Sequence, residues 1–263
     1  FENKFLTFLK NVNSKGQNSP KFKRDGQSEL LNIASYDISL PLRKKSEMFN
    51  KYLTPKISIR HSPNSTSNLK DKKNRLTSSN AFDLNRIGTN EAIEGGTSAT
   101  LGITYEKENL EYDKVFSLSA VNIVRDEVDS NLPENSTLGK KQSDIFTNIY
   151  YSPLSNFDIN YDLSLDNDAK TVNSHSLTNE ISANNFVNTF SFYEENNIVG
   201  KKSFYANTFK YEPDESNSLS FSTRRNLQND LTEFYNLIYQ YQNDCLTASI
   251  QYNKEYYTGG ITQ

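Results

Sequence analysis

With 263 residues, 23% of them charged, and a formal net charge of −3, the chain has no global basic character. No lysine and arginine stripe interleaves with its aromatics either, and both facts argue against a nucleic-acid partner. A mean hydropathy of −0.74 reads as very polar, yet sixteen tyrosines and sixteen phenylalanines are too many for a disordered chain.

The elements follow in chain order. A weak strand candidate lies at 1–12, then strands near 28–42 and 51–60, with SEMFNKYL (Ser46–Leu53) leaving room for a short helical turn. A second weak candidate lies at 76–87. TSATLGITYE then alternates Ala99, Leu101, Ile103 and Tyr105 against Ser98, Thr100, Gly102 and Thr104. Further strands fall near 112–124 and 143–151. FDINYDLSLD (Phe157–Asp166) puts Phe157, Ile159, Tyr161, Leu163 and Leu165 on one face and polar residues on the other. The remaining strands are read at 171–182, 185–194, 202–211, 218–225, 231–242 and 245–257. Successive strand side chains point to opposite faces, so these are half-apolar strands, and a helix would scatter the same residues around its circumference. The expected fold is all-β: an antiparallel meander of about a dozen strands.

Apolar runs such as AVNIV (Ala120–Val124) are far shorter than the ~20 residues of a membrane helix. Helical spans are excluded, but a transmembrane barrel is not, because its strands need only about 9–11 residues. Connector lengths add to this. SPLSN (Ser152–Asn156), SANN (Ser182–Asn185), YEPDESN (Tyr211–Asn217) and QND (Gln242–Asp244) are short and fall at one end of the strands. The polar loops Arg125–Gln142 and His61–Gly96 are long and fall at the other, provided that 76–87 belongs to the loop. Outer-membrane barrels pair short periplasmic turns with long outer loops.

Alternation alone fits either a soluble sandwich with a dry core or a barrel with an apolar outside and a wet lumen. Three features favour the barrel. The strands are too many and too alike in length for one sandwich. Aromatics recur near strand ends, as in NIYY (Asn148–Tyr151). Asn, Ser, Thr and Asp fill the non-apolar face. A porin or solute-uptake channel is the alternative barrel, and a soluble β-rich binding protein is the alternative outside the membrane.

Little in the chain suggests catalysis, a cofactor or a metal. The two histidines, His61 and His175, have no ligand-type neighbours in sequence. DLSLDND (Asp162–Asp168) lacks the glycine and terminal glutamate of a calcium loop, and IGTNEAIEGGT (Ile87–Thr97) lacks the lysine of a phosphate-binding loop. Cys245 is the single cysteine, so it is a free thiol or pairs with something outside these residues. STRRN (Ser222–Asn226) sets Arg224 and Arg225 at a strand end on the long-loop side, as solvated charges or as contacts for anionic lipid headgroups. The chain opens at Phe1 without a charged-then-apolar leader, as expected of a processed or internal piece.

Three stretches carry a family resemblance. SYDISLPLRKKSEMFNKYLTPKISIRHSPNS (Ser35–Ser65) contains L-x-P-x-I-x-I before a loop. FDLNRIGTNEAIEGGTSATLGITYE (Phe82–Glu106) is similar to an N-R-[FI]-x-G loop followed by a glycine-containing strand, although Gly88 follows Ile87 directly here. FSTRRNLQNDLTEFYNLIYQYQNDCLTASIQYNKEYY (Phe221–Tyr257) is a cysteine-bearing hairpin. In that order they resemble the LptD family of outer-membrane lipopolysaccharide-assembly proteins.

The resemblance implies a non-enzymatic transporter component in the outer membrane of a Gram-negative bacterium. Such a barrel receives lipopolysaccharide from a periplasmic Lpt bridge through an N-terminal domain. It releases the lipid through a lateral gate between its first and last strands, with an LptE-like lipoprotein plugging the lumen. Residues 1–263 would then be one partial barrel, roughly half, with the N-terminal domain, the first strands and the last strand outside it and little stability alone. Cys245 would be half of a disulfide to that N-terminal domain. Arg224 and Arg225 would face the leaflet that carries lipopolysaccharide.

Overall fold

A computed structural model describes residues 1–12, 27–66, 68–70, 75–86, 93–111, 113–133, 137–197 and 200–256. The described residues form an antiparallel β meander of fourteen strands. They are β1 (Glu2–Val12), β2 (Gln27–Ser39), β3 (Leu42–Lys45), β4 (Asn50–Ser62), β5 (Gly96–Glu108), β6 (Lys114–Arg125) and β7 (Ile145–Leu154), followed by β8 (Phe157–Leu165), β9 (Val172–Ala183), β10 (Phe186–Asn197), β11 (Gly200–Asp214), β12 (Asn217–Asn226), β13 (Leu231–Gln242) and β14 (Thr247–Glu255). Neighbours in sequence are neighbours in the sheet, except that β3 pairs β4 beside the main path. The all-β expectation therefore holds.

Two local readings change. SEMFNKYL holds no helical turn: Ser46 closes a bend by donating its backbone N–H to the carbonyl of Phe49 at 2.9 Å, and β4 starts at Asn50. The short, fully exposed β3 escaped pattern reading because four residues (LRKK) carry no alternation. Both 1–12 and 76–87 were weak by sequence, and they part here. Residues 2–12 pair with β2, while the described part of 76–87 is turns.

The chain forms two compact units. The first comprises 1–42, 53–104 and 119–146; the second comprises 43–52, 105–118 and 147–263. In the first unit the two sheet faces differ sharply. Phe5, Leu9, Leu30, Tyr36, Leu53, Ile57, Ile59, Leu101, Ile103 and Val124 are apolar and exposed. The opposite face buries Ser35, Asp37, Ser58, Arg60, Ser62, Ser98, Thr100 and Arg125, together with Leu31, Ile33, Val121 and Ile123. This reverses the soluble pattern, in which strands hide apolar residues and show polar ones.

The buried face is covered by the two long connectors. Leu69, Leu76, Ala81 and Phe82 from the segment after β4 and Leu132 and Leu138 from the segment after β6 pack on Val121, Ile123 and Phe146. Ile93 and Leu84 pack on Leu31, Ile33 and Leu6. The connectors are also joined to each other: Leu69 donates its N–H to the carbonyl of Asn131 at 2.7 Å, and Thr66 Oγ1 donates to Asp129 Oδ2. Gly102 has a steric reason for its place in β5. A Cβ there would lie 2.7 Å from the Phe82 ring, so the bare backbone is what lets the ring settle.

The second unit is built from hairpins with tight turns. Asn184 takes a left-handed backbone (φ 49°), which asparagine tolerates better than most residues, at the β9–β10 turn. Registers align Phe186 with Tyr211, Phe209 with Phe221, and Leu237 with both Phe221 and Tyr252, so rings and leucines form continuous rows on one face. Phe186 meets Phe209 edge-on at 5.2 Å, and Phe221 stacks on Tyr235 at 6.2 Å. β14 is exposed along its whole length.

Candidate functional site

The most constrained chemistry in the chain is a buried charge cluster in the first unit. Strand alternation turns Arg60, between Ser58 and Ser62 on β4, toward the covered face, and β6 ends there with Arg125. Arg86 and Glu94 come from the connector between β4 and β5. All four are buried, Glu94 completely. Arg86 grips the Glu94 carboxylate with two nitrogens, Nε to Oε2 at 3.0 Å and Nη2 to Oε1 at 2.5 Å. Its remaining reach goes to Ser98 Oγ at 2.7 Å and Thr100 Oγ1 at 3.1 Å. Arg125 Nη1 donates to Glu94 Oε1 and Nη2 to the Gly95 carbonyl at 2.7 Å. Asp129 stands 3.8 Å from Arg125 Nη2. A Cβ on Gly95 would lie 2.2 Å from the Asn64 carbonyl, so glycine is what allows Glu94 to be set this deep.

Arg60 completes the cluster differently. Its Nε donates to the Leu84 carbonyl at 2.9 Å, and Nη1 lies 2.8 Å from Glu94 Oε2. That contact is ionic without hydrogen-bond alignment, and both Nη1 and Nη2 are buried with no hydrogen-bond partner among the described residues. Burial pushes the Glu94 carboxyl upward, but Arg86, Arg60 and Arg125 and the hydrogen bonds from Arg86 outweigh it and hold the group below the usual carboxylate range. The site is thus an ionised carboxylate inside a ring of guanidiniums. It has the makings of an anion site or a lock.

The residues singled out by sequence lie elsewhere. Arg224 and Arg225 are consecutive on β12 and point to opposite faces, so they do not form one site. Arg224 pairs with Glu233 and lies over the Phe204 ring at 4.6 Å, while Arg225 pairs with Asp230 at 2.5 Å. Cys245 is an exposed free thiol in the β13–β14 turn, its N–H donating to Asn243 Oδ1 at 3.0 Å. His61 Nδ1 is 3.0 Å from Thr97 Oγ1. His175 sits between the Tyr161 hydroxyl and Glu194 Oε2, each at 3.3 Å. Among the described residues no acidic, histidine or cysteine group has metal-site geometry. DLSLDND ends in a tight turn in which Ala169 N–H donates to the Asp166 carbonyl at 2.7 Å. A polar hollow of about 580 Å³ at the second unit's turns is lined by Glu212, Asp214 and Glu215, an acidic wall unsuited to an anionic lipid.

Sequence reading missed the cluster because its members lie on three segments of the chain, with Arg60 and Arg125 each more than twenty residues from Arg86 and Glu94. The available signal was an arginine in the polar face of a strand (Arg60) and a glutamate directly before two glycines (Glu94). Of the six residues in IGTNEA, 87–92, nothing is described.

No curated protein matches the chain. The family profile for LptD, LPS transport system D, matches residues 8–229. That span takes in Arg60, Arg86, Glu94 and Arg125 and stops before the Cys245 hairpin. With most of its length matched and an all-β meander whose first unit shows its apolar face and hides its polar one, this chain belongs to the LptD family of outer-membrane lipopolysaccharide-transport barrels.

Proposed function

We propose that this chain is a section of a transmembrane β-barrel that delivers lipopolysaccharide to the outer leaflet of the outer membrane, moving the lipid through a lateral opening without covalent chemistry. The observation that carries this reading is the reversed burial of the first unit within the family match: apolar residues on the bare face suit lipid, and polar residues on the covered face suit a wet interior. The same reading makes an LptE-like lipoprotein and a periplasmic Lpt bridge its partners. It assigns Arg225, at the long-connector end of the aromatic face, to anionic headgroups, with Arg224 turned to the other face. Cys245, at the short-turn end, is oxidised to a cysteine elsewhere in the full protein, because that end faces the oxidising periplasm.

Depletion of the full-length protein in cells tests the transport reading. Surface lipopolysaccharide falls if it is right, and normal surface lipopolysaccharide under depletion rejects it. Non-reducing peptide mapping of the mature protein tests the thiol separately: a reduced Cys245 removes the disulfide from the account.

A further inference from the structure

We propose that the three-arginine pocket is an exchangeable anion site: Glu94 fills it in this structure, and the phosphate monoester of a phosphorylated glycolipid takes it when Glu94 withdraws. The proposal deepens the lipopolysaccharide reading above and rests on it for the identity of the cargo.

Charge comes first. Among the described residues, Arg60, Arg86 and Arg125 converge on one carboxylate, and the next acid within ion-pair range, Asp129, reaches only Arg125, at 3.8 Å. Buried cations in excess of anions are costly, so the pocket favours an occupant with more negative charge than glutamate. Shape comes second. Arg86 already takes both oxygens of Glu94 in its two-pronged grip, and Arg60 Nη1 and Nη2, on a side chain only 3% exposed, are left without a hydrogen bond. A planar carboxylate cannot offer well-aligned acceptors to three guanidinium forks. A tetrahedral phosphate presents three free oxygens, one for each. The Ser98 and Thr100 hydroxyls stand beside Arg86 at 2.7 and 3.1 Å and can turn their protons to the same anion.

Connectivity comes third. Arg60 and Arg125 are carried by strands, whereas Glu94 belongs to the connector between β4 and β5. The pocket's own anion and two of its cations can therefore separate. Withdrawal of Glu94 alone would leave buried guanidiniums bare, so release requires a replacement anion. Cargo binding and loosening of Ile93–Gly95 from the sheet are then one event.

The test uses the full-length protein in detergent solution, with amide hydrogen exchange read over residues 93–97 and 64–66. Four additions are compared: inorganic phosphate, sodium chloride at equal ionic strength, micelles of a bisphosphorylated glycolipid, and micelles of the same glycolipid with its phosphates removed. Phosphate and the phosphorylated glycolipid are expected to raise exchange saturably, roughly tenfold, while chloride and the dephosphorylated lipid leave it unchanged. E94Q, which removes the competing charge, tightens phosphate binding roughly tenfold. Arg60→Lys, which keeps the charge but loses the guanidinium fork and the Nε bond to the Leu84 carbonyl, weakens the phosphate response measured against its own resting exchange. The wild-type and Arg60→Lys measurements carry the test if E94Q does not fold.

Equal responses to phosphate and chloride overturn the proposal. A response to inorganic phosphate but not to the phosphorylated glycolipid overturns the glycolipid as occupant. These outcomes are independent of the depletion experiment: normal surface lipopolysaccharide on depletion rejects transport whatever the exchange data show, and an inert pocket rejects the exchange while transport stands.

Discussion

Two short stretches with the same pattern meet different fates. In the first unit, Ser58-Ile59-Arg60 sets serine and arginine on the polar face of β4. In the second, Ser222-Thr223-Arg224 does so on β12. The Arg60 side chain is 3% exposed and part of a buried cluster, while that of Arg224 is 41% exposed and paired with Glu233. Strand alternation is the same in both. What differs is the connector that follows. After β4 come residues 63–95, long enough to fold back over the polar face. After β12 come only residues 227–230, a turn and no more. Alternation decides which face a side chain takes, and connector length decides whether that face becomes an interior.

That comparison can be broken most directly at Glu94. E94Q leaves three buried guanidiniums without their carboxylate, and removing one partner of a buried ion pair costs about 3–5 kcal/mol. Urea titration of the full-length barrel in bilayers, read by the folded fraction on gels, should show that loss. The same carboxyl predicts an acid response. Its folded pKa is depressed, so its contribution is complete above the ordinary glutamate range and is lost as pH falls through the depressed value. Amide exchange over 93–97 should rise in that window, and E94Q should abolish the dependence.

The faces themselves come next. Phe221→Lys places a charge on the aromatic face of β12 and should cost about 2–4 kcal/mol if that face meets the bilayer midplane. Ser220→Lys, one residue earlier and on the other face, should be close to neutral. Equal costs at the two positions would contradict the face assignment. Gly102→Ala probes packing beneath the connector. Its new Cβ would meet the Phe82 ring at 2.7 Å, so a loss of about 1–3 kcal/mol is expected, relieved when Phe82→Ala is added. The smallest effect belongs to the second unit. Glu233→Gln, beside the half-exposed Arg224, should cost no more than about 1 kcal/mol, because exposed pairs are screened. A loss as large as that of E94Q would erase the distinction between the units.

Much of this was legible from residues alone. The alternation in TSATLGITYE and FDINYDLSLD placed β5 and β8 and named their apolar faces, and turn lengths placed the long connectors at one end. The candidate site was not legible in the same way. Reading for chemistry led to Cys245, Arg224 and Arg225, which stand out because they are solitary or adjacent in the chain. Arg60, Arg86, Glu94 and Arg125 stand out only when folded, since each is unremarkable in its own segment. Alternation put Gly102 on the polar face of β5, and only the fold shows the Phe82 ring resting on it.

The sequence by itself determined the alternating strands, their two faces and the order of the meander, because period-two alternation and turn residues act over a few positions. Only the tertiary structure decided that the polar face of the first unit is closed over and that one carboxylate holds three arginines there. Those outcomes depend on a connector folding back across the sheet, and no local pattern records which charges it will meet.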